Sequence, residues 1–423
     1  MITLQNRKEV FHMDDDMMIL GKDCYYSMDS YKTFLNNNVL VVGASGAGKT
    51  RSIVTPNLLQ ASGSYIISDP KGNLHRKYGD YLKSKGYVVK CLNFTDPSQS
   101  CHYNFFHYIK GTQDVLKAAH MLAFSDETTF HSDPFWDLSS QLLLQAIIAY
   151  ILENHDEMTL RRISELIDMF KVDENIPTAK SKLDLIFDLR EKECPESYAV
   201  KMYKKFRAAA GKTLKSIIIT LNSKIGLFDT PELNKMMETD DLDIPSIGQR
   251  KTALFVIISD TDRSMDIMAN LFFTQAMNEL CRYADNECED YRLPVPVRFI
   301  LDDFATNCKI DDFPRMIASI RSRGISTMLI IQAESQLKNS YDNDAPTIIG
   351  NCDTYVYLGG NDVETAKAIS ERCDVPLKSI LNMPVRRVWI FRRGSAPFFT
   401  HTFDLESFES MKRAILLEEE PAI

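Results

Sequence analysis

The octapeptide Gly43-Ala44-Ser45-Gly46-Ala47-Gly48-Lys49-Thr50 satisfies the pattern G-x-x-x-x-G-K-[ST] at every fixed position. The apolar run Val39-Leu40-Val41-Val42 precedes it and a helix-compatible segment follows. Strand, glycine loop and helix in that order turn several backbone N–H groups inward around a phosphate. The motif therefore demands a parallel α/β sheet with a nucleotide site at a strand end. Gly43, Ala44, Ser45, Gly46, Ala47 and Gly48 would form the cradle. Lys49 would reach the β- and γ-phosphates, and Thr50 would offer its hydroxyl to Mg²⁺, with ATP as the expected nucleotide. Pro56 lies seven residues past Lys49 and should kink or shorten the helix, because it has no N–H to donate. A second G-K-T, Gly211-Lys212-Thr213, is not a phosphate loop. Phe206 stands where its first glycine belongs, and no strand precedes it.

The rest of the chain agrees with an α/β fold. Short apolar runs recur at residues 39–42, 65–67, 87–89, 253–258, 299–301, 327–331, 355–358 and 388–391. Runs of that length without alternation fit strands buried on both faces. Helix-like stretches such as Met265 to Ala284 lie between them. From about Thr112 to Asp229 no strand is evident. There Leu160, Ile163, Leu166, Ile167 and Phe170 step at helical spacing, as do Val200, Tyr203, Phe206, Ala210, Leu214, Ile217 and Leu221. The expected organisation is an irregular N-terminal segment (1–35), a nucleotide-binding domain in two parts (36–111 and 230–408), an all-α domain between them (112–229), and an acidic tail (409–423).

Composition narrows the partners. With 49 basic and 58 acidic residues the net charge is −9, so a coat that wraps duplex nucleic acid with its whole surface is disfavoured. A local basic groove or a pore within an oligomer is compatible. Nine cysteines without a CxxC pair fit reduced thiols better than a disulfide framework or a zinc site. No signal peptide opens the chain, and no run of 18 apolar residues occurs. The longest apolar stretch, Leu138 to Leu152, is interrupted by Ser139, Ser140, Gln141 and Gln145 and reads as a buried helix. A cytoplasmic protein is expected, peripheral at the inner face of the cell membrane where a partner holds it.

A phosphate-loop enzyme also needs a carboxylate at the end of a neighbouring buried strand, to serve Mg²⁺, and a group that polarises the attacking water. Asp302 and Asp303 follow Phe299-Ile300-Leu301, which makes Asp302 the Mg²⁺-side acid and Asp303 the base. Asp69, Asp260 and Asp262 also follow strands, and spacing alone leaves them as rivals.

Several motifs then occur in one order. Ser68-Asp69-Pro70-Lys71-Gly72 follows the second strand of this core, and Asp133-Pro134-Phe135-Trp136 opens a long apolar helix. Leu301-Asp302-Asp303-Phe304, Ser319-Ile320-Arg321-Ser322-Arg323-Gly324-Ile325, Ile330-Ile331-Gln332 and Ile349-Gly350-Asn351-Cys352-Asp353 come after. With the phosphate loop they resemble the type IV secretion coupling proteins, the TraG/TraD/VirD-type conjugation ATPases, from about Asn36 to Phe403. The resemblance implies a RecA-like nucleotide-binding domain interrupted by an all-α domain, assembly as a homo-hexamer, and ATP-driven transfer of single-stranded DNA with its relaxase to the components of a secretion channel. It implies Lys49 and Thr50 as the Walker A pair and Asp302 and Asp303 as the Walker B pair. Arg321 would be an arginine finger toward a neighbour's nucleotide, past a helical stretch over Phe313–Ile320, and Gln332 a γ-phosphate sensor. Two departures stand out: family members usually carry N-terminal transmembrane helices, and their base position is usually Glu rather than Asp. A docking receptor that binds ATP with little hydrolysis and a P-loop NTPase acting on small molecules are the alternatives.

Other signals weigh less. Six cations between Lys201 and Lys215 (Lys201, Lys204, Lys205, Arg207, Lys212, Lys215) form either a DNA-contacting stripe or a solvated helix face. Arg386, Arg387, Arg392 and Arg393 flank the last strand, as nucleic-acid contacts or as edge charges. Tyr103, Phe105, Phe106 and Tyr108 read as core. Lys71 either faces the nucleotide or caps a turn.

Overall fold

In the computed structural model, residues 17–124, 134–171, 179–209, 211–226, 228–406 and 408 are described. The strands are β1 (Met17–Gly21), β2 (Cys24–Ser27), β3 (Val39–Val42), β4 (Ser64–Ser68), β5 (Val88–Asn93), β6 (Thr252–Ile257), β7 (Val297–Leu301), β8 (Ile325–Ile331), β9 (Thr354–Tyr357), β10 (Arg387–Arg392) and β11 (Phe398–His401). Nine of them form one sheet in the order β11-β10-β9-β3-β8-β7-β4-β6-β5. From β9 to β5 every pairing is parallel; β10 and β11 add an antiparallel ribbon at one edge. All eight apolar runs fall on strands of this sheet.

Successive residues of a strand point to opposite faces, and here each face has its own core. Val39 and Val41 of β3 join one apolar cluster, whereas Leu40 and Val42 join the other. The same split divides Ala253 and Phe255 of β6 from Leu254 and Val256. This is why the strands read as unbroken apolar runs: neither face meets solvent.

One face is covered by the helix that follows the phosphate loop, by the helix Asn73–Ser84 and by β1. The other shares its apolar cluster with the helix Asp266–Glu287 and with the helices that lie between β5 and β6, the first of which packs on Asp266–Glu287. These last are Thr112–Ala123, Pro134–Glu153, Leu160–Asp168, Lys182–Glu193, Tyr198–Arg207, Gly211–Gly226 and Pro231–Met236, with no strand among the described residues. Their starts are set by side-chain caps. The Thr159 hydroxyl accepts from Arg162 N–H, the Ser197 hydroxyl from Val200 N–H, and Ser181 forms a reciprocal box with Asp184. Asp133 lies outside the described residues. The helix over residues 135–153 is long and apolar enough to cross a membrane. Most of it is buried, and Leu143, Leu144, Ile147, Ile148 and Ile151 belong to the shared core.

Two readings need correction. Residues 17–33 are not irregular. β1 and β2 form an antiparallel hairpin, followed by a helical turn over Ser30–Thr33. The buried Asn57 side chain clamps this hairpin to the phosphate-loop helix: its Oδ1 accepts from Ile19 N–H (3.0 Å) and its Nδ2 donates to Ile19 C=O (2.6 Å). Nor is Phe313–Ile320 one helical stretch. It is a turn of helix over Phe313–Met316 and then a 3₁₀ turn over Ile320–Arg323, because Pro314 and Gly324 bound the segment. The acidic tail 409–423 lies outside the described residues.

Candidate nucleotide site

All seven parallel strands end at the same edge of the sheet, and the loop 43–49 leaves β3 in the middle of it. Gly43 N–H donates to Ile331 C=O (3.2 Å) at the end of β8, and Ala44 N–H to Gly359 C=O (2.9 Å) beyond β9. The loop is thereby pinned between its two neighbours. Gly46 and Gly48 adopt φ of +77° and +86°, a left-handed backbone that only glycine takes without cost. The helix after it opens with a wide π turn over Thr50–Val54 and closes as a short α-helix over Thr55–Leu59. Pro56 has no N–H for the i−4 carbonyl, in keeping with this short, irregular helix.

Lys49 is only 9% exposed, and its ammonium donates to the carbonyls of Gly43 (2.6 Å) and Ala44 (3.2 Å). Burial lowers its pKa, while the charges of Asp302 and Asp303 pull it back up. Thr50 Oγ1 donates to Asp302 Oδ2 at 2.9 Å. The chain thus brings together two residues 252 positions apart, from the loop after β3 and from the end of β7.

Asp302 is held from several sides. Its own Oδ1 accepts from Asp303 N–H (3.2 Å), and its carbonyl accepts from Ser68 Oγ (3.0 Å). Burial raises the pKa of its carboxyl, partly offset by the Thr50 hydrogen bond and the Lys49 charge. A half-buried carboxylate beside a hydroxyl and an ammonium has spare oxygen lone pairs and suits a hard divalent cation. Mg²⁺ fits this donor set.

Asp303 stands one residue further out, at φ +53° and ψ +42°. Gln332, directly after β8, points its Nε2 toward Asp303 Oδ1 at 3.4 Å. Lys49, Thr50, Asp302, Asp303 and Gln332 therefore share one strand-end cleft. Arg321 does not. It precedes β8, so it lies at the opposite edge of the sheet, where its Nη2 donates to Ser30 C=O (2.9 Å).

The rival acids are otherwise engaged. Asp69 Oδ2 accepts from His75 N–H (2.9 Å), capping the helix Asn73–Ser84. Asp260 pairs with Lys71 (3.2 Å), so Lys71 is bound to a neighbouring loop of its own chain. Asp262 accepts from Ser264 N–H (3.0 Å). Geometry separates Asp302 from the acids that spacing kept as rivals. Sequence reasoning did not single out the Ser68 hydroxyl or Gly359, which hold the site together through contacts visible only once β4, β7 and β9 are placed.

The aromatic cluster is core, and some of the secondary cations have partners within the chain. Tyr103, Phe105, Phe106 and Tyr108 are buried in the core. Within the basic stretch Lys204 pairs with Glu191, and Arg207 with Asp184 (2.8 Å); the Lys212 side chain lies outside the described ones. Arg393 pairs with Asp353 (2.9 Å), and the guanidinium of Arg392 lies over the Tyr26 ring.

Comparison with known proteins agrees with this architecture. The family model "Type IV secretory system Conjugative DNA transfer" matches residues 4–374. The "Protein VirD4" of Rhizobium rhizogenes is 25% identical over 347 residues, covering 78% of this chain and 48% of the relative. The chain spans about half the length of the curated relatives it matches. Among solved structures, the bacterial conjugative coupling protein TrwBdeltaN70, in its unbound monoclinic form, superposes with a TM-score of 0.66 at 16% identity. That match covers 92% of this chain and 88% of the other. The plasmid coupling protein TrwB in complex with ADP and Mg²⁺ gives 0.62 at 18% identity, covering 86% and 85%.

Proposed function

The chain belongs to the family of type IV secretory system conjugative DNA transfer proteins, and from that premise we propose that it is an ATP-driven coupling protein. It recruits DNA with its relaxase and moves it to a type IV secretion channel during conjugation. The observation that carries the enzymatic half is the 2.9 Å hydrogen bond from Thr50 to Asp302, which joins the phosphate loop to the acid that serves the metal. Thr50 and Asp302 would hold Mg²⁺, which when bound would supply positive charge against the charge that builds on the transferred phosphoryl group, while the nucleotide supplies the scissile phosphoanhydride.

The chain's own residues supply positioning. The loop N–H groups hold phosphate oxygens, and the Lys49 ammonium exchanges its carbonyl partners for them. Asp303 accepts a proton from the attacking water, and Gln332, beside it, orients that water. Arg321 lies away from its own subunit's cleft; its role in this reading is in trans, toward a neighbour's nucleotide within a homo-hexamer. Its planar fork suits two phosphate oxygens at once.

ATP turnover measured with and without single-stranded DNA tests the reading. Stimulation by DNA is expected. Turnover indifferent to DNA would overturn the motor reading in favour of another NTPase, and ATP binding without turnover would leave a docking receptor.

A further inference from the structure

At the opposite edge of the sheet, where β4, β7 and β8 begin, lies a cavity of about 230 Å³. Three guanidinium groups line it, from Arg292, Arg298 and Arg321. Arg298 is the second residue of β7 and is 6% exposed. Its Nε donates to Ser326 Oγ (3.3 Å), and its Nη2 donates to Met28 Sδ (3.0 Å). Those are two neutral acceptors, one of them a weakly accepting thioether, for a group that carries five N–H donors, and no carboxylate pairs with it among the described residues. Desolvation accordingly lowers its pKa.

The neighbours do not neutralise it. Arg292 packs its guanidinium against the Tyr31 ring, 5.1 Å from the centroid. Arg321 donates to the neutral carbonyl of Ser30. The one acid in the lining is Asp29. It is committed to its own helix, accepting from Tyr31 N–H (3.0 Å) and Lys32 N–H (3.3 Å), with the Lys32 ammonium at 3.4 Å. A buried charge without a partner is costly, and a chain of net charge −9 had acids to spare for the position.

We propose that this cavity is an oxyanion site for a phosphate-class dianion, with Arg298 as its buried anchor and Arg292 and Arg321 at its rim. The bidentate fork of arginine suits such a ligand. The site is separate from the phosphate loop. Arg298 and Asp302 lie four residues apart along β7 and beyond, about 13 Å at strand rise. It is also complete within one chain, so it stands whether or not the nucleotide reading holds.

The test uses the whole chain carrying Lys49→Ala, which weakens the phosphate loop, titrated calorimetrically with sodium phosphate against sodium chloride of equal ionic strength. One phosphate per chain is expected, independent of protein concentration. Adding Arg298→Met should weaken binding at least tenfold while raising the melting temperature in phosphate-free buffer, since a buried unpaired charge is removed. Should that variant fail to fold, Arg292→Gln combined with Arg321→Gln at the rim should give the same loss. A parallel titration with AMP separates the sources: tighter binding than phosphate indicates a nucleotide-borne group, and equal binding a free ion. No saturable phosphate binding in the Lys49→Ala chain would overturn the proposal. So would affinity unchanged by Arg298→Met or, where that chain does not fold, by the rim pair.

Discussion

Replacing Asp303 by Asn isolates the proposed base from everything else at the site. Asp303 sits in the left-handed backbone region (φ +53°, ψ +42°), where Asp and Asn are the non-glycine residues most often found. Asn keeps the size, the backbone preference and a side-chain oxygen for the Gln332 amide, so stability should change by less than about 0.5 kcal/mol, as for a surface substitution. The proton acceptor, however, is gone. A positioned general base contributes roughly 10²–10⁴-fold, or about 2.7–5.4 kcal/mol of barrier. Turnover should therefore fall at least tenfold at saturating Mg-ATP, with ATP affinity and melting temperature near wild type. Asp303→Glu makes the complementary case: it retains the carboxylate and should keep or raise turnover, but it should lose about 1 kcal/mol of stability, because a longer side chain is disfavoured in that backbone region. Phosphate release and thermal melting on the same preparations read both effects. A wild-type rate for Asp303→Asn would refute the assignment and turn attention to Asp260 and Asp262, across the same strand-end edge.

Lys49→Ala should abolish ATP binding or turnover, because no other ammonium lies within the loop; undiminished affinity in equilibrium dialysis would contradict it. Asp302→Asn should stop Mg²⁺-dependent turnover yet raise the melting temperature at neutral pH. The sign follows from its raised pKa: the folded state holds the proton more tightly than the unfolded chain, so stability is lost as pH rises through the interval above the ordinary carboxylate value. In the Asn variant that part of the pH dependence should vanish from a series of thermal melts. Mixing Arg321→Ala with Lys49→Ala subunits should restore part of the turnover that each lacks alone, and specific activity should climb with wild-type concentration; a flat dilution series and no rescue would exclude action in trans.

What the sequence showed depended on how local each signal was. The strand runs were legible because each strand is buried on both faces, which leaves an uninterrupted apolar word such as Val39–Val42. The phosphate loop was legible because its glycines and its lysine are contiguous. The hairpin β1–β2 was obscured by the acidic run Asp14–Asp16 just before it and by a turn at Asp23, whose φ of +58° leaves no glycine signature. Spacing favoured Asp302 over Asp69, Asp260 and Asp262 without excluding them, and the motif Leu301-Asp302-Asp303-Phe304 named it through the family resemblance. Each follows a strand, and only the sheet order, with β3 and β7 flanking β8, brings Asp302 within reach of Thr50. Arg298 was hidden, since a lone arginine at the start of a strand looks like an ordinary edge charge.

The helices that follow β5 return the chain to β6, which is paired directly beside it, and they share one continuous apolar cluster with a full face of the sheet. The excursion is therefore thermodynamically part of the sheet's own core. Leu40 and Val42, flanking the phosphate loop on that face, sit in the same cluster as Phe170 and Phe206 of the helical layer. Apolar packing thus runs without a break from the helical layer to the strand that carries the phosphate loop, so the helices and the sheet draw on one cooperative core.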